Sequence, residues 1–225
     1  MQARYWIGGL ARGLPGFMPT LCVVIATGVA AGAAIGSGVE KLKNDQVVVR
    51  EYALHPGESL AVDGRYPAVT VYFEGSLAGF TPSGGRLATG AVRRGDTIFS
   101  PAQAGTIRNT GSGDLDFVRT EFLTAGKDET WGTAGLSPNY KVLIENRFAR
   151  VYDIRIPAHT REPQHTHKAR VVVCLSGAIL KHLMPDGREE PSTLKTGEVA
   201  WRLGATHIGQ NLGQTDLWVI AIEPK

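Results

Sequence analysis

The chain has 225 residues, with 24 Lys or Arg against 21 Asp or Glu, 28 Gly and 12 Pro. That length suffices for one large or two small domains with a buried core, and the Gly and Pro content favours short elements and many turns. The net charge of +3 is small and spread along the chain, with no basic stripe interleaved with aromatics, so nucleic acid is not an expected partner.

The N-terminus differs in kind from the rest. Arg4 and Arg12 precede a stretch from Gly13 to Val39 that carries no charge, and Leu21 to Ile35 is apolar and small. A positive start, an apolar middle and the small-residue end Ala31-Gly32-Ala33 together describe a secretory signal, here placed over residues 1–38. An uncleaved membrane anchor and a start at Met18 are the other readings. A periplasmic or secreted protein is therefore expected, with a membrane-anchored one as the alternative. Cys22 lies in this segment and Cys174 in the run Val171-Val172-Val173-Cys174-Leu175, where a buried strand thiol is the default. Without Cys22 no disulfide can form within the chain.

Beyond Lys43 the chain turns to short Val-, Thr- and Ile-rich runs broken by Gly and Pro, a strand pattern. Two of the clearest, Val69–Phe73 and Val171–Leu175, are followed by Gly75 and Gly177, a separation of 102 residues. The same offset joins Gly95 to Gly197, Asn109 to Asn211, Gly111 to Gly213, Asp114-Leu115 to Asp216-Leu217 and Glu121 to Glu223. An offset held through so many identities marks an internal duplication. A unit of this size with regular turn signals and no helical period is a small sandwich or jelly roll. The expected domains are 47–122 and 141–225, joined by a Gly-, Thr- and Ser-rich linker over 123–140.

The second copy carries the chemistry. His165 and His167 flank Thr166 at a strand start, so alternation puts both imidazoles on one face. His207 stands at the end of a Gly-punctuated run and is followed by Ile-Gly-Gln-Asn211. Two His from one strand and one from a neighbour can converge on a metal ion. At offset 102 the first copy has Asp63, Arg65 and Gly105 in their place, so it reads as a structural half that holds no ion. His159 reads as a turn or surface residue, with a fourth ligand or a proton shuttle as the alternative, His55 and His182 as surface residues, Gln164 as at most a weak ligand, and Asn211 as a turn residue. Arg170 reads as a solvated strand-edge residue or, alternatively, as a helper for an anionic ligand.

His165, His167, Gly177, Gly197, Gly204, His207 and Asn211 together resemble the two motifs of the cupin superfamily over most of Val151 to Pro224. The resemblance implies an all-β chain of two tandem cupin, jelly-roll-like barrels preceded by the apolar N-terminal segment. The stretches Val-Leu-Ile-Glu-Asn146 and Ile-Glu-Pro-Lys225 are also similar to small single-domain bacterial cupins associated with β-alanine degradation. Three departures matter: His159 stands at the opening Gly of the first motif, Leu203 and Gly204 stand at the Pro-x-Gly turn, and, most important, the acidic ligand of the first motif falls at Arg170, Val171 or Val172, none of which can bind a cation. The resemblance thus implies a divalent ion (Fe, Mn, Ni or Zn) on three neutral imidazoles, His165, His167 and His207, whose affinity falls as pH drops through the histidine range near 6.5. Such a site favours anionic ligands. The expected function is a metal-dependent enzyme on a small organic acid or thiol metabolite, with dioxygenase chemistry favoured by resemblance and lyase chemistry open; no catalytic residue is singled out. A non-catalytic metal- or metabolite-binding sensor and a structural barrel with a vestigial site are the alternatives. A small-molecule substrate, a tether through the N-terminal segment and a homo-oligomer are the partners compatible with this reading.

Overall fold

A computed structural model of the chain describes residues 38–132 and 136–225, which form strands and no helix. The expected signal or anchor falls outside these residues. The first half supplies β1 (Val39–Lys43), β2 (Val47–Leu54), β3 (Ser59–Val62), β4 (Ala68–Tyr72), β5 (Ser76–Pro82), β6 (Ala88–Val92), β7 (Thr97–Ser100), β8 (Gly105–Asn109) and β9 (Leu115–Phe122). The second supplies β10 (Tyr140–Glu145), β11 (Ala149–Ile156), β12 (His165–His167), β13 (Arg170–Ser176), β14 (Ala178–Leu183), β15 (Glu189–Leu194), β16 (Val199–Arg202), β17 (Ala205–Asn211) and β18 (Leu217–Pro224). Two differences from the sequence reading appear at the boundaries. A strand, β1, precedes residue 47, and Tyr140, assigned to the linker, opens β10.

Each half folds into one five-stranded and one four-stranded antiparallel sheet. The larger sheets run β1-β2-β9-β4-β7 and β10-β11-β18-β13-β16; the smaller run β3-β8-β5-β6 and β12-β17-β14-β15. The two orders are the same when each strand is replaced by its counterpart in the other half. Even the irregularities repeat: the β1–β2 register shifts between Glu40 and Leu42, and the β10–β11 register between Val142 and Ile144. Gly95 and Gly197 both turn at φ +84°, a backbone conformation that Gly adopts without steric cost.

Alternation along the strands then sorts side chains between two kinds of core. Inward positions such as Leu54, Tyr72, Ile107 and Phe117 fill the lumen of the first barrel. Ile154, Val172, Cys174, Leu180 and Val219 do the same in the second. Burial pushes the Cys174 thiol up to about 11, so this cysteine is an inert packing group. The outward positions of the two larger sheets form a third cluster, with Val47, Val49, Val69, Val71 and Phe122 against Val151, Val171, Val173, Ile220 and Ile222. Each such side chain contributes about 1.5–3 kcal/mol on burial. The barrels therefore share a dry core, and their larger sheets are buried on both faces.

Candidate functional site

β12 and β17 are the elements that gather the histidines. Their register pairs His165 directly with His207, and His165 and His167, two residues apart, share a face. The imidazole centroids of His165 and His207 lie 4.9 Å apart, those of His167 and His207 4.9 Å, and those of His165 and His167 6.1 Å. All three side chains are buried. Imidazoles bound to one ion at about 2.0–2.1 Å place their centroids roughly 4.5–5 Å apart.

The hydrogen bonds fix the tautomers of two of them. His165 Nδ1 donates to the Pro163 carbonyl at 3.0 Å and His167 Nδ1 to the Lys168 carbonyl at 3.2 Å. In each neutral ring the lone pair is then on Nε2, the arrangement that carbonyl-supported metal-binding histidines use. Burial first, and the Arg170 charge among the further causes, hold His167 and His207 down to about 3. Both are therefore neutral far below the ordinary histidine range, lower than the sequence reading placed their protonation.

The cluster is nevertheless not a ready cage. The Tyr140 hydroxyl donates to His165 Nε2 at 3.1 Å, so that lone pair is engaged. Among the described residues no three His, Cys, Asp or Glu side chains are arranged around a common point as ligands of one ion. The donor set suits a divalent ion in its chemistry; the ring of His165 would have to leave Tyr140 to join it.

Three further residues belong to this site and escaped the sequence reading. His182, on β14, stacks on His207 with centroids 4.4 Å apart and planes within 3°. The surface position expected for it is not the one it takes: it follows the inward parity of Ala178 and Leu180. Glu162 is buried, accepts from Ser137 Oγ at 2.9 Å, and has its pKa raised by burial. Tyr140 packs its ring 5.1 Å from that of His165. His159, at φ 59°, is an exposed turn residue on Gln214, His55 is exposed on Asp114, and Gln164 is exposed.

Arg170 is the main correction. Its parity along β13 is that of Val172 and Cys174, and it is 9% exposed, not a solvated edge residue. It stands beside the Tyr140 ring, 5.8 Å from the centroid. Its Nε and Nη1 are buried without a hydrogen-bond partner among the described residues. Together with Tyr140, Glu162, His167, His182 and His207 it lines a cavity of about 420 Å³, whose remaining wall is largely apolar. Asn211 is not part of it. Its amide donates to the Ile156 and Thr215 carbonyls while its Oδ1 accepts from the Gly213 N–H.

With this geometry in hand, the likeness to solved structures is informative. A cupin 2 conserved barrel domain protein from Leptotrichia buccalis is 13% identical, with a TM-score of 0.57, over 88% of this chain and 92% of that one. Oxalate decarboxylase of Bacillus subtilis, a protein with Mn(II) centres, is 14% identical with a TM-score of 0.54 over 85% and 74%. AerE from Microcystis aeruginosa is 12% identical with a TM-score of 0.57 over 85% and 97%. The fold is that of the cupin barrels. No protein-family model matches the chain, and no curated protein sequence does. At these identities the likeness concerns the cupin fold and says nothing of the reaction.

Proposed function

We propose that this cupin binds a divalent metal ion through His165, His167 and His207 and acts as an enzyme on a small organic acid. The observation that carries the reading is Arg170, a buried guanidinium with two unpartnered nitrogens in the same cavity as His167 and His207. Glu162 and Glu223 lie close enough to feel its charge, but Nε and Nη1 keep their donors free, and the planar fork of Arg matches a carboxylate. In this reading Arg170 orients the carboxylate, the apolar wall excludes water, and the Tyr140 hydroxyl and the Glu162 carboxyl stand as proton donors. A bound ion would supply Lewis-acid polarisation and, if iron or manganese, redox chemistry with dioxygen. The tandem, bicupin-like relationship and oxygenase chemistry belong to the same proposal, as does secretion or anchoring through the N-terminal segment.

The test is elemental analysis of untagged protein loaded in turn with Fe(II), Mn(II), Ni(II) and Zn(II), followed by small carboxylates and thiols under air. About one equivalent of ion is expected, lost in His165→Ala, His167→Ala and His207→Ala. Arg170→Met should keep the ion and weaken carboxylate binding by at least about tenfold. Failure to retain any of the four ions rejects the reading. A second reading, a carboxylate-binding protein without turnover, is favoured by the Tyr140 hydroxyl on His165 Nε2; it predicts tight carboxylate binding by the metal-free protein.

A further inference from the structure

The first barrel, expected from its missing ligands to be purely structural, encloses a cavity of its own, of about 350 Å³. Its counterpart positions explain why no imidazole cluster forms there. Gly105 corresponds to His207 and Phe80 to His182. A Cβ on Gly105 would lie 2.7 Å from Phe80 Cζ and 2.5 Å from the Thr81 carbonyl oxygen, so the Phe80 ring fills the place beside it. The lumen is thus walled by Tyr72, Phe80, Val92, Phe99 and Ile107.

One charged side chain, Arg119 on β9, lines this cavity. It is 4% exposed. Among the described residues its one hydrogen bond runs from Nε to Glu121 Oε1 across 3.4 Å, which leaves both terminal nitrogens without a partner. Glu121 is itself shared, since its Oε2 accepts from Arg50 at 3.1 Å, and Arg50 also reaches the exposed Glu40 at 3.5 Å. Arg119 corresponds to Ala221 in the second barrel, and Arg170 to Ala68 in the first. The two buried arginines therefore stand on different strands and are not one residue retained after duplication.

A guanidinium held under an apolar wall is poorly solvated and keeps its donors for an anion. The volume lies at the low end of ligand pockets, about 300–1,000 Å³. We propose that the first barrel is a metal-independent binding site for a small monocarboxylic acid with an apolar body. The carboxylate would sit on Arg119 and the hydrocarbon part against Phe80, Val92 and Ile107.

The test uses the full chain carrying Arg170→Met, which removes the carboxylate site proposed for the second barrel, and 4-fluorobenzoate, followed by its fluorine NMR line. This chain and the same chain with His165→Ala and His207→Ala added should bind it with the same affinity. The uncharged 4-fluorobenzyl alcohol, and the Arg119→Met variant with 4-fluorobenzoate, should each be weaker by about tenfold or more. Gly90 lines the cavity and a Cβ there meets nothing within 4 Å, so Gly90→Phe blocks the space without touching Arg119 and should abolish binding. Should Arg119→Met fail to fold, Gly90→Phe decides alone. No binding to the Arg170→Met chain, undiminished binding in the first-barrel variants, or loss on adding the histidine substitutions would each overturn the proposal. Loss on adding the histidine substitutions would also point to the second barrel as the carboxylate site.

Discussion

Asn109 and Asn211 are fully buried amides that share three hydrogen bonds, 102 residues apart, Asn109 Oδ1 accepting a fourth from Ser76 Oγ. Asn109 Nδ2 donates to the Leu54 and Gly113 carbonyls while Oδ1 accepts from the Gly111 N–H, as Asn211 does around Ile156, Thr215 and Gly213. Replacing either by Ala leaves two buried carbonyls and an N–H unpaired. Asn109→Ala and Asn211→Ala should therefore each cost about 2–3 kcal/mol in urea unfolding, by similar amounts; a negligible cost for either would refute the shared role. The histidines give a pH dependence whose sign is fixed. His167 and His207 have folded values near 3 against 6.5 in the unfolded chain, so the unfolded state takes up protons first as pH falls. Their contribution is complete above about pH 6.5 and is lost as pH drops towards about 3. Glu162 and Glu223, raised by burial, work in the opposite sense, contributing below their unfolded values and losing this as pH rises. The urea midpoint of metal-free protein should fall below about pH 6.5, and His207→Gln should flatten that slope. An unchanged slope would contradict a buried neutral His207.

At the scale of elements, what the sequence disclosed was whatever is written in local turn chemistry. Gly95 and Gly197, Asn109 and Asn211, and the strands between them were legible because a turn needs particular residues at fixed places. The His-x-His pair on β12 was legible for the same reason, since period two puts both rings on one side. Arg170 was misjudged because β13 is buried on both faces: Val171 and Val173 meet the other barrel, Val172 and Cys174 the lumen. A run of apolar residues on both parities erases the alternation that would have turned Arg170 inward. His182 was recoverable, because its counterpart Phe80 is apolar and its parity matches Leu180. Glu162 comes from a segment with no period of its own and carried no such signal, whereas Tyr140 shares the parity of Val142 on β10 and was missed because the linker was drawn through it. The β8 strand offers a direct test of the close approach at Gly105. Gly105→Ala should cost about 1–3 kcal/mol from overpacking against Phe80 and the Thr81 carbonyl, and Phe80→Ala in the same chain should recover only part of this, because the backbone contact remains. Thermal melts of the single and the double variant against wild type measure it, and a neutral Gly105→Ala would show that β8 and β5 are less tightly apposed.

For the whole molecule the shared core decides how the barrels unfold. Losing the contact of Val47, Val69 and Val71 with Val151, Val171 and Ile222 would expose an apolar face on each half. Arg94 also donates to the Leu175 carbonyl, and Trp218 packs on Gly95, so polar and aromatic contacts bridge the same junction. Calorimetry should then give a single transition, and Val173→Asp, on the second barrel, should lower the temperature at which the first one melts. Two resolved transitions, with the first barrel unmoved by that substitution, would contradict it.

That division of labour between faces has a consequence for how such a chain can change. The outer face of the first barrel is committed to its neighbour, and every residue there is constrained by a surface it must match. Its lumen answers to no such obligation. Substitutions at Phe80 or Arg119 alter the chemistry of an enclosed space without touching the paired exterior that frames His165, His167 and His207, whereas Gly105 is held by the Thr81 carbonyl. A chain with two barrels of the same strand order has two interiors, and one can keep its set of donors while the other is altered residue by residue.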